Sequence, residues 1–303
     1  MSYTPYNAPL LSGLLGDMEV AAFFSVKADI EAMVRFEVAL ARAEADAGVI
    51  PEAAAVKIKA ACDAFEPDMR ALSTTASRDG LVIPDLVRQL REAVGADHAE
   101  HVHKGTTSQD LIDTSLVLRL KDANTVLSKR LNGVIDLLEA LTTSFGDNRL
   151  MAHTRLQAAK PISVSDRLSN WIAPVESSRN DCKALFQKLY QVQFGGPVGT
   201  LSELSGKGAD VRAGLARALD LHDPGRCWHT DRSAIVSYTD WLSRLTGTLG
   251  KIGQDFALMA QSERSDLAFD GGGYSSAMAH KANPVKAESL VTLARFNATL
   301  SPA

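Results

Sequence analysis

The stretch IVSYTDWLSRLTGTLGKIGQDFALM, residues 235–259, decides the fold because its apolar side chains recur at alternating steps of three and four. The apolar positions are Ile235, Tyr238, Leu242, Leu245, Leu249, Ile252, Phe256 and Met259. Steps of this size place side chains on one face of an α-helix. No proline stands between Pro224 and Pro284 to interrupt such a helix. We therefore predict one long helix with a continuous apolar seam.

A second long span without proline lies between Pro84 and Pro161. Its apolar positions, again three or four residues apart, are Leu116, Leu120, Ala123, Leu127, Leu131, Val134, Leu138, Leu141 and Phe145. One short neighbour cannot cover seams of this length, so they predict a bundle of several long helices. A simple coiled coil fits less well, because apolar residues also lie outside the seams.

Shorter amphipathic segments at 29–47 and 52–65 predict helices near the N-terminus, and 285–300 is a further helical pattern that Pro284 opens. We find no alternating runs that would predict β-strands. The predicted fold class is all-α, with a small helical N-terminal domain at 1–100 and a long-helix bundle at 101–303. The chain ends in Ser-Pro-Ala without the further helices that usually close a large bundle. A natural short form and a truncated chain both fit this ending.

The composition describes an ordinary globular protein of 303 residues with a formal net charge of −4. Such a balance argues against a nucleic-acid binder, which needs a basic surplus. No apolar run approaches the roughly 20 residues of a membrane span, and no signal peptide is evident. These features predict a cytoplasmic protein. The scattered cysteines Cys62, Cys182 and Cys227 are interpreted as packing residues.

The segment Asp270-Gly-Gly-Gly-Tyr-Ser-Ser-Ala-Met-Ala-His-Lys-Ala-Asn-Pro284 is the most unusual part of the sequence. Its consecutive glycines favour a mobile backbone, and two hydroxyls, an imidazole, an ammonium and an amide follow them. Mobile loops of this kind often close over a substrate. A flexible linker between two helices would contain similar glycines, but it has no need of Lys281 and Asn283 directly before a helix-starting proline.

Two further segments are rich in polar side chains. His101-Val-His-Lys-Gly-Thr-Thr-Ser-Gln-Asp110 leads into the long helix, where side-chain hydroxyls and free N–H groups can bind a carboxylate. A plain N-cap explains Thr107 or Ser108 equally simply. The other segment is His153-Thr-Arg-Leu-Gln157, in which a lone His or Arg would more often be a solvated surface group.

Taken together, the three segments resemble the signature regions of the fumarase/aspartase superfamily. The superfamily loop G-S-S-x-M-P-x-K-x-N-P is matched at Ser275, Ser276, Met278, Lys281, Asn283 and Pro284. This chain departs from the pattern at Tyr274 and Ala279. The stretch from Gly105 to Thr114 is similar to the first region, T-S-x-D-x-x-D-T. The segment at 153–157 resembles R-T-H-x-Q with the Arg and His exchanged.

Within the superfamily, the chain is most similar to the cycloisomerases that act on 3-carboxy-cis,cis-muconate. The segments that carry this similarity are 83–87, 193–201, 228–232 and 247–252. The resemblance implies lactonisation to 4-carboxymuconolactone through an aci-carboxylate intermediate. One alternative is β-elimination, as in adenylosuccinate or argininosuccinate lyases, although the stretch from Ser77 to Gly80 lacks the histidine typical of adenylosuccinate lyases. Another alternative is a non-catalytic helical scaffold.

The resemblance also implies roles for individual residues. Ser275 is the expected proton-exchanging group, with Lys281 and His153 completing the catalytic set. The expected substrate-binding residues are His103, Thr107, Ser108, Gln109, Arg155, Gln157, His229, Ser276, Asn283 and Glu288, the last of which could also orient His153. Because a serine hydroxyl is a weak base, its oxyanion needs stabilisation by Lys281 and by N–H groups of the loop.

No metal or organic cofactor is implied, because the addition is redox-neutral and no ligand cluster is evident in the sequence. The expected ligand is a small tricarboxylate, and neither nucleic acid nor a membrane is an expected partner. The resemblance implies a homotetramer whose active sites combine the three regions from different subunits. The long apolar seams agree with this, since one chain of this length has little surface to cover them.

Overall fold

Eleven α-helices make up most of the computed structural model, which describes residues 4–300. The helices are α1 (Ser12–Leu15), α2 (Met18–Ala22), α3 (Val26–Asp46), α4 (Glu52–Asp63), α5 (Met69–Asp79), α6 (Ile83–Val94), α7 (Ser108–Phe145), α8 (Val164–Leu189), α9 (Gly208–Leu219), α10 (Ser233–Met259) and α11 (Val285–Leu300). Short 3₁₀ turns lie at Ala99–His101 and Ser202–Leu204. The all-α prediction is confirmed.

Two compact units share these helices. The first unit consists of Glu19–Asn124 and Phe186–Ala234. The second consists of the described residues within Met1–Met18, Thr125–Leu185 and Ile235–Ala303. The predicted division of the sequence at residue 100 stays a prediction, and the Ser-Pro-Ala ending lies outside the described residues.

The core of the first unit forms around α3. Ser25 caps the N-terminus of this helix, and its hydroxyl accepts a hydrogen bond of 3.2 Å from the Ala28 N–H. Helices α4 and α9 pack against it, and the fully or almost fully buried core side chains include Phe36, Leu40 and Ile58. Burial of each such side chain contributes about 1.5–3 kcal/mol, which makes this cluster the main stabilising feature of the unit.

In the second unit, α10 follows a seven-residue repeat. Tyr238, Leu245, Ile252 and Met259 are buried, while the alternate apolar positions Ile235, Leu242, Leu249 and Phe256 are only partly buried. Two tryptophans fix the neighbouring α8. The Trp241 indole donates to the Ser178 carbonyl at 2.9 Å, and the Trp171 indole donates to Asp255 Oδ2 at 2.7 Å. The apolar seam predicted from the sequence therefore occurs in α10. The row that begins at Tyr238 is buried, whereas the row that begins at Ile235 is only partly buried.

Small residues let α10 and α11 approach closely. A Cβ atom at Gly250 would collide with the Ala294 side chain, and one at Gly253 would lie 2.7 Å from the Ala287 carbonyl oxygen. A Cβ at Gly247, by contrast, would meet nothing within 4 Å. Two glycines of α10 are therefore required by packing, whereas the third is not.

We expected no β-strands from the sequence, and this prediction is wrong. Strand β1 (Arg149–Thr154) pairs with β2 (Gln157–Ser163) in an antiparallel hairpin, and β3 (Gly273–Tyr274) pairs with β4 (Ala282–Asn283). These strands gave no signal because β2 is mostly exposed, β1 contains a bulge, and the second ladder has only two residues per strand.

The helices at 285–300 and 235–259 occur as predicted, and α7 extends the predicted helix N-terminally to Ser108. No helix was predicted over 164–189, where α8 contains Pro174, a residue type that ordinarily interrupts a helix. Within residues 4–300, no helix is both long and apolar enough to cross a membrane.

Candidate active site

Asp110, in the first turn of α7, is the centre of a hydrogen-bond network in the first unit. Its side chain is fully buried. Oδ1 accepts from Gln193 Nε2 at 3.0 Å, Gly195 N at 2.9 Å and His229 Nε2 at 2.8 Å. Oδ2 accepts from Thr106 Oγ1 at 3.0 Å, Thr107 N at 3.0 Å and Gly196 N at 2.9 Å. Because these donors compensate the desolvation of the carboxylate, Asp110 holds three separate segments together.

Glycine is required at two of these positions. A Cβ at Gly195 would lie 2.6 Å from Cys227 Sγ. Gly196 has a φ of +68°, and its Cβ would lie 3.0 Å from the Gly105 carbonyl oxygen. A side chain at either position would push the loop away and withdraw N–H donors from Asp110.

Gln193 extends the network through its backbone and its side chain. The Thr114 hydroxyl accepts from Gln193 N at 3.0 Å and donates to Gln193 O at 3.1 Å. Gln193 Oε1 accepts from Trp228 N at 2.8 Å. Both Gln193 and Thr114 are fully buried, so the segment before α10 is held against α7.

A second buried carboxylate lies nearly one turn further along α7. Asp113 accepts two hydrogen bonds from the Arg232 guanidinium, at 2.8 and 3.0 Å. These bonds raise the pKa of Arg232 above its ordinary value, against the opposing effect of partial burial. The guanidinium also lies 5.4 Å from the centre of the Trp228 ring. Asp113 and Arg232 form a structural ion pair that anchors the start of α10.

Several residues predicted to bind substrate lie in this first unit. Thr107 precedes α7 and presents a hydroxyl that makes no hydrogen bond within residues 4–300, while Ser108 and Gln109 open the helix and are partly buried. His103 Nδ1 lies 2.6 Å from Oε1 of the buried Glu37. Thr107 and His229 thus share one carboxylate, while no hydrogen bond in the described chain joins His103 to it.

The hairpin of the second unit carries His153, Arg155 and Gln157. Arg155 and Leu156 form its two-residue turn with φ values of +49° and +66°, a conformation that usually selects Asn-Gly. Arg155, His153, Arg167 and Arg264 are among the residues around a cavity of about 240 Å³. Gln157 opens β2 and is exposed. Asp255 also lines this cavity and lies 3.9 Å from Arg167, and Arg264 hydrogen-bonds to Asp266, so two of the four basic groups already face a carboxylate.

The loop from Ser275 to Lys281 is closed at its base by the β3–β4 ladder. The Ser275 hydroxyl oxygen accepts hydrogen bonds from Met278 N at 3.1 Å and Ala277 N at 3.3 Å. Within residues 4–300 it makes none with the Lys281 ammonium. Asn283 pairs with Gly273 in the ladder, whereas Ser276 and Lys281 are exposed. The amides that face Ser275 follow it in the chain and do not belong to the three glycines.

Glu288 lies in the first turn of α11 and is exposed. His153 Nδ1 instead lies 3.0 Å from the Met151 carbonyl oxygen, and no hydrogen bond to Glu288 occurs in the described part of the chain. Nor does any hydrogen bond there join His153 or Arg155 to the loop at Ser275. Among residues 4–300, the hairpin residues, the Ser275 loop and Glu288 are therefore not linked by hydrogen bonds.

The buried cysteines are poor nucleophiles. Burial raises the pKa of the Cys62 thiol to about 12 and that of Cys182 to about 11, so neither forms a thiolate at neutral pH. Among the described residues, no group of three or more His, Cys, Asp or Glu side chains is placed to hold a metal ion.

Four residues of this network lie within the motifs described above but were not predicted as site residues: Asp110, Asp113, Gln193 and Arg232. One signal was present, because two aspartates three residues apart in the first turns of a helix lie on one face. Their partners were not predictable, since Gln193 and Arg232 come from distant parts of the chain.

A sequence model of a lyase family matches residues 19–297, nearly the whole chain. The chain belongs to this family, within the fumarase/aspartase superfamily. Family membership also confirms the predicted type of long-helix fold. The three signature segments therefore belong to a lyase-family chain in which the Arg and His of the second segment are exchanged.

Within the superfamily, the chain is similar to proteins that are named for one activity. The chain is 37% identical over 300 residues to the 3-carboxy-cis,cis-muconate cycloisomerase of Pseudomonas aeruginosa, covering 97% of this chain and 65% of that protein. It is 38% identical to the protein of the same name from Bradyrhizobium diazoefficiens, covering 93% and 64%. The crystal structure of 3-carboxy-cis,cis-muconate lactonizing enzyme from Pseudomonas putida superposes with a TM-score of 0.89 at 34% identity, covering 97% and 67%. This lyase-family chain thus spans about 65% of the length of these curated relatives.

Proposed function

We propose that the chain is a cycloisomerase that converts 3-carboxy-cis,cis-muconate to 4-carboxymuconolactone, in the protocatechuate branch of aromatic catabolism. The relatives described above carry this activity in their names. The observation that carries the proposal is the loop at Ser275, whose hydroxyl oxygen accepts two backbone N–H bonds and whose composition matches the superfamily signature. No metal or organic cofactor is part of the proposal.

The proposed reaction adds one substrate carboxylate across a carbon–carbon double bond. A C–O bond forms, and the π electrons move to the carbon beside another carboxylate, giving a doubly charged aci-form. A proton then adds to that carbon. Because the developing charge is the main barrier, preorganised donors contribute more than a strong base would.

Ser275 is proposed to exchange the proton with the substrate carbon. Amides of Ala277 and Met278 at its oxygen would stabilise an alkoxide, which supports this role. We propose that Lys281 and Asn283 bind the reacting carboxylate. The other proposed substrate-binding residues are His103, Thr107, Ser108, Gln109, Arg155, Gln157, His229 and Ser276. His153 is proposed as a catalytic group and Glu288 as its partner, which in the proposed assembly can come from a neighbouring subunit.

The proposed assembly is a homotetramer in which the signature regions of different subunits meet. Exposed apolar residues of the second unit support it, because Leu137, Leu141 and Phe145 lie four residues apart on α7 and are 68%, 41% and 50% exposed. The partly buried row of α10 supports it as well. Size-exclusion chromatography with light scattering should give about four times the chain mass of 32.5 kDa. A monomer at micromolar concentration would contradict the proposal.

The two alternatives predict different results with purified protein. An ultraviolet assay with 3-carboxymuconate and with adenylosuccinate separates the cycloisomerase from a lyase-type elimination, and argininosuccinate can be added as a third substrate. A scaffold would convert none of them. A cytoplasmic location stays a prediction, which cell fractionation would test.

The mechanistic test is Ser275→Ala. Loss of one acid/base group should lower the turnover rate for 3-carboxymuconate at least about a hundredfold. Ser169→Ala, on α8, is the matched control, because its hydroxyl bonds only to the Asp166 carbonyl in the described chain. Wild-type turnover by Ser275→Ala would exclude Ser275 from the mechanism.

A further inference from the structure

A cavity of about 540 Å³ lies in the second unit, between the C-terminal ends of α7 and α10 and the N-terminal end of α8. Three aromatic side chains, Trp171, Phe256 and Phe269, form part of its wall. The Trp171 and Phe256 rings meet edge to face with their centres 4.9 Å apart, and the Phe256 and Phe269 rings do so at 6.3 Å. This volume is typical of a site for a small organic molecule, and such rings pack favourably against a further aromatic ring. None of the three belongs to the proposed substrate site.

Arg167, on α8, also lies in the cavity wall and has an unsatisfied hydrogen-bond donor. Its Nε is buried and makes no hydrogen bond within residues 4–300. The side chain as a whole is 22% exposed. A buried N–H group without an acceptor is unfavourable, so an acceptor from outside the chain would stabilise this residue.

The charges around Arg167 leave a positive surplus. Asp255 Oδ2 lies 3.9 Å from Arg167 Nη1, but the same oxygen accepts a hydrogen bond from the Lys251 ammonium at 2.5 Å. Asp266, an acidic side chain of the cavity wall, accepts from Arg264 Nε at 2.9 Å. One carboxylate therefore faces two cations, whereas Asp266 and Arg264 balance each other. An anion bound beside Arg167 would be attracted by this net positive charge.

We propose that this cavity binds a small aromatic carboxylate, whose ring packs against the three aromatic side chains and whose carboxylate accepts hydrogen bonds from Arg167. The inference goes beyond the proposed function, because it adds a second ligand site to the chain. A neutral hydrocarbon would leave Arg167 Nε without an acceptor, and a small aliphatic anion would leave the aromatic wall uncovered. Leu141 and Phe145 also line the cavity, and the proposed homotetramer would cover them, so the ligand has to be small enough to be enclosed. Binding makes and breaks no covalent bond.

The test compares 2-naphthoate with its neutral analogue 2-naphthamide by isothermal titration calorimetry. The wild-type chain should bind 2-naphthoate with a Kd of about 0.1 mM or tighter, and 2-naphthamide at least about tenfold more weakly. Arg167→Gln should weaken 2-naphthoate binding by about ten- to a hundredfold and give the two probes similar affinities, because the charge-assisted hydrogen bond is lost. Arg179→Gln, on the same helix, is the matched control and should leave both Kd values unchanged, since its guanidinium bonds to Glu176 at 3.2 Å.

Two further variants locate the bound probe. Phe269→Ala removes one ring from the cavity wall and should weaken 2-naphthoate binding at least about threefold. Lys281→Ala changes the loop that is proposed to bind the reacting carboxylate of the substrate. It should leave the Kd of 2-naphthoate unchanged, because Lys281 is not part of this cavity.

Several results would overturn the inference. They are absence of 2-naphthoate binding at millimolar concentration, equal affinities of the two probes for the wild-type chain, and wild-type affinity in Arg167→Gln or an equal loss in Arg179→Gln. A loss in Lys281→Ala would do so too, since it would place the probe in the substrate site. If Arg167→Gln fails to fold, the two probes on the wild-type chain and the Phe269→Ala variant decide. A chain that binds 2-naphthoate as expected but does not lactonise 3-carboxymuconate would refute the proposed function alone.

Discussion

Glu44 on α3 is a buried carboxyl group that has no hydrogen-bond partner among residues 4–300. It is fully buried, and neither of its carboxyl oxygens accepts a hydrogen bond in the described chain. Burial, reinforced by the negative charge of Glu37 and opposed by the positive charge of Lys104, raises the pKa of Glu44 from 4.5 to about 9. The folded protein therefore holds this group protonated at neutral pH.

The sign of the effect on stability follows from proton binding. Between pH 4.5 and about 9, folded Glu44 keeps a proton that the unfolded chain has released. Its contribution to stability is fully present below pH 4.5 and is lost as the pH rises toward 9. The loss is up to about 1.4 kcal/mol per pH unit, or roughly 4 kcal/mol between pH 5 and pH 8.

The test substitution is Glu44→Gln, which keeps the shape of the side chain and removes its titratable carboxyl group. Urea unfolding at fixed protein concentration, followed by circular dichroism at pH 5 and pH 8, gives the free energy of unfolding of each variant. The stability of the variant relative to wild type should rise by roughly 4 kcal/mol over this interval. Glu31→Gln, on the same helix with a side chain 64% exposed, should change by less than about 0.5 kcal/mol. Parallel pH curves for wild type and Glu44→Gln would refute the reasoning.

One pair of substitutions in each unit tests its packing, with stability measured by thermal unfolding. Gly253→Ala should destabilise the chain, because its Cβ would lie 2.7 Å from the Ala287 carbonyl oxygen. Gly247→Ala meets no atom within 4 Å and should stabilise α10 by about 0.5–1 kcal/mol; equal shifts for both would contradict the close α10–α11 contact. Phe36→Ala should cost about 3–5 kcal/mol in the first unit. Phe24→Ala, 45% exposed, should cost about 1 kcal/mol or less, and similar losses for both would argue against the described core.

The long helices could be predicted because their signal is local. Steps of three and four between Ile235 and Met259 need no knowledge of the neighbours, and the same is true of the helix that follows Pro284. The helix through Pro174 was missed because its backbone tolerates a missing N–H donor that sequence reasoning treats as an end. The hairpin at 149–163 was missed because its strands are largely exposed and lack the usual turn residues.

The candidate site also contains residues that the local sequence predicts and residues that it does not. The segments that contain Thr107, His153 and Ser275 could be found from residue types in short stretches of sequence. The hydrogen-bond partners of Asp110 could not, because they depend on which distant segments meet at α7. The burial of Glu44 could not be predicted either, since an acidic residue in an amphipathic helix is ordinarily solvated.

The donors to Asp110 have a consequence for synthesis of the chain. They extend from Thr106 to His229, so the ribosome releases Asp110 long before the last of them exists. At 5–20 residues per second this delay is on the order of ten seconds. Until residues 193–196 are made, only Thr106 and Thr107 can donate hydrogen bonds to this carboxylate, and the first turn of α7 cannot be buried as it is in the complete chain. Nascent chains that stop before Gly195 are therefore expected to occupy chaperones or to be degraded.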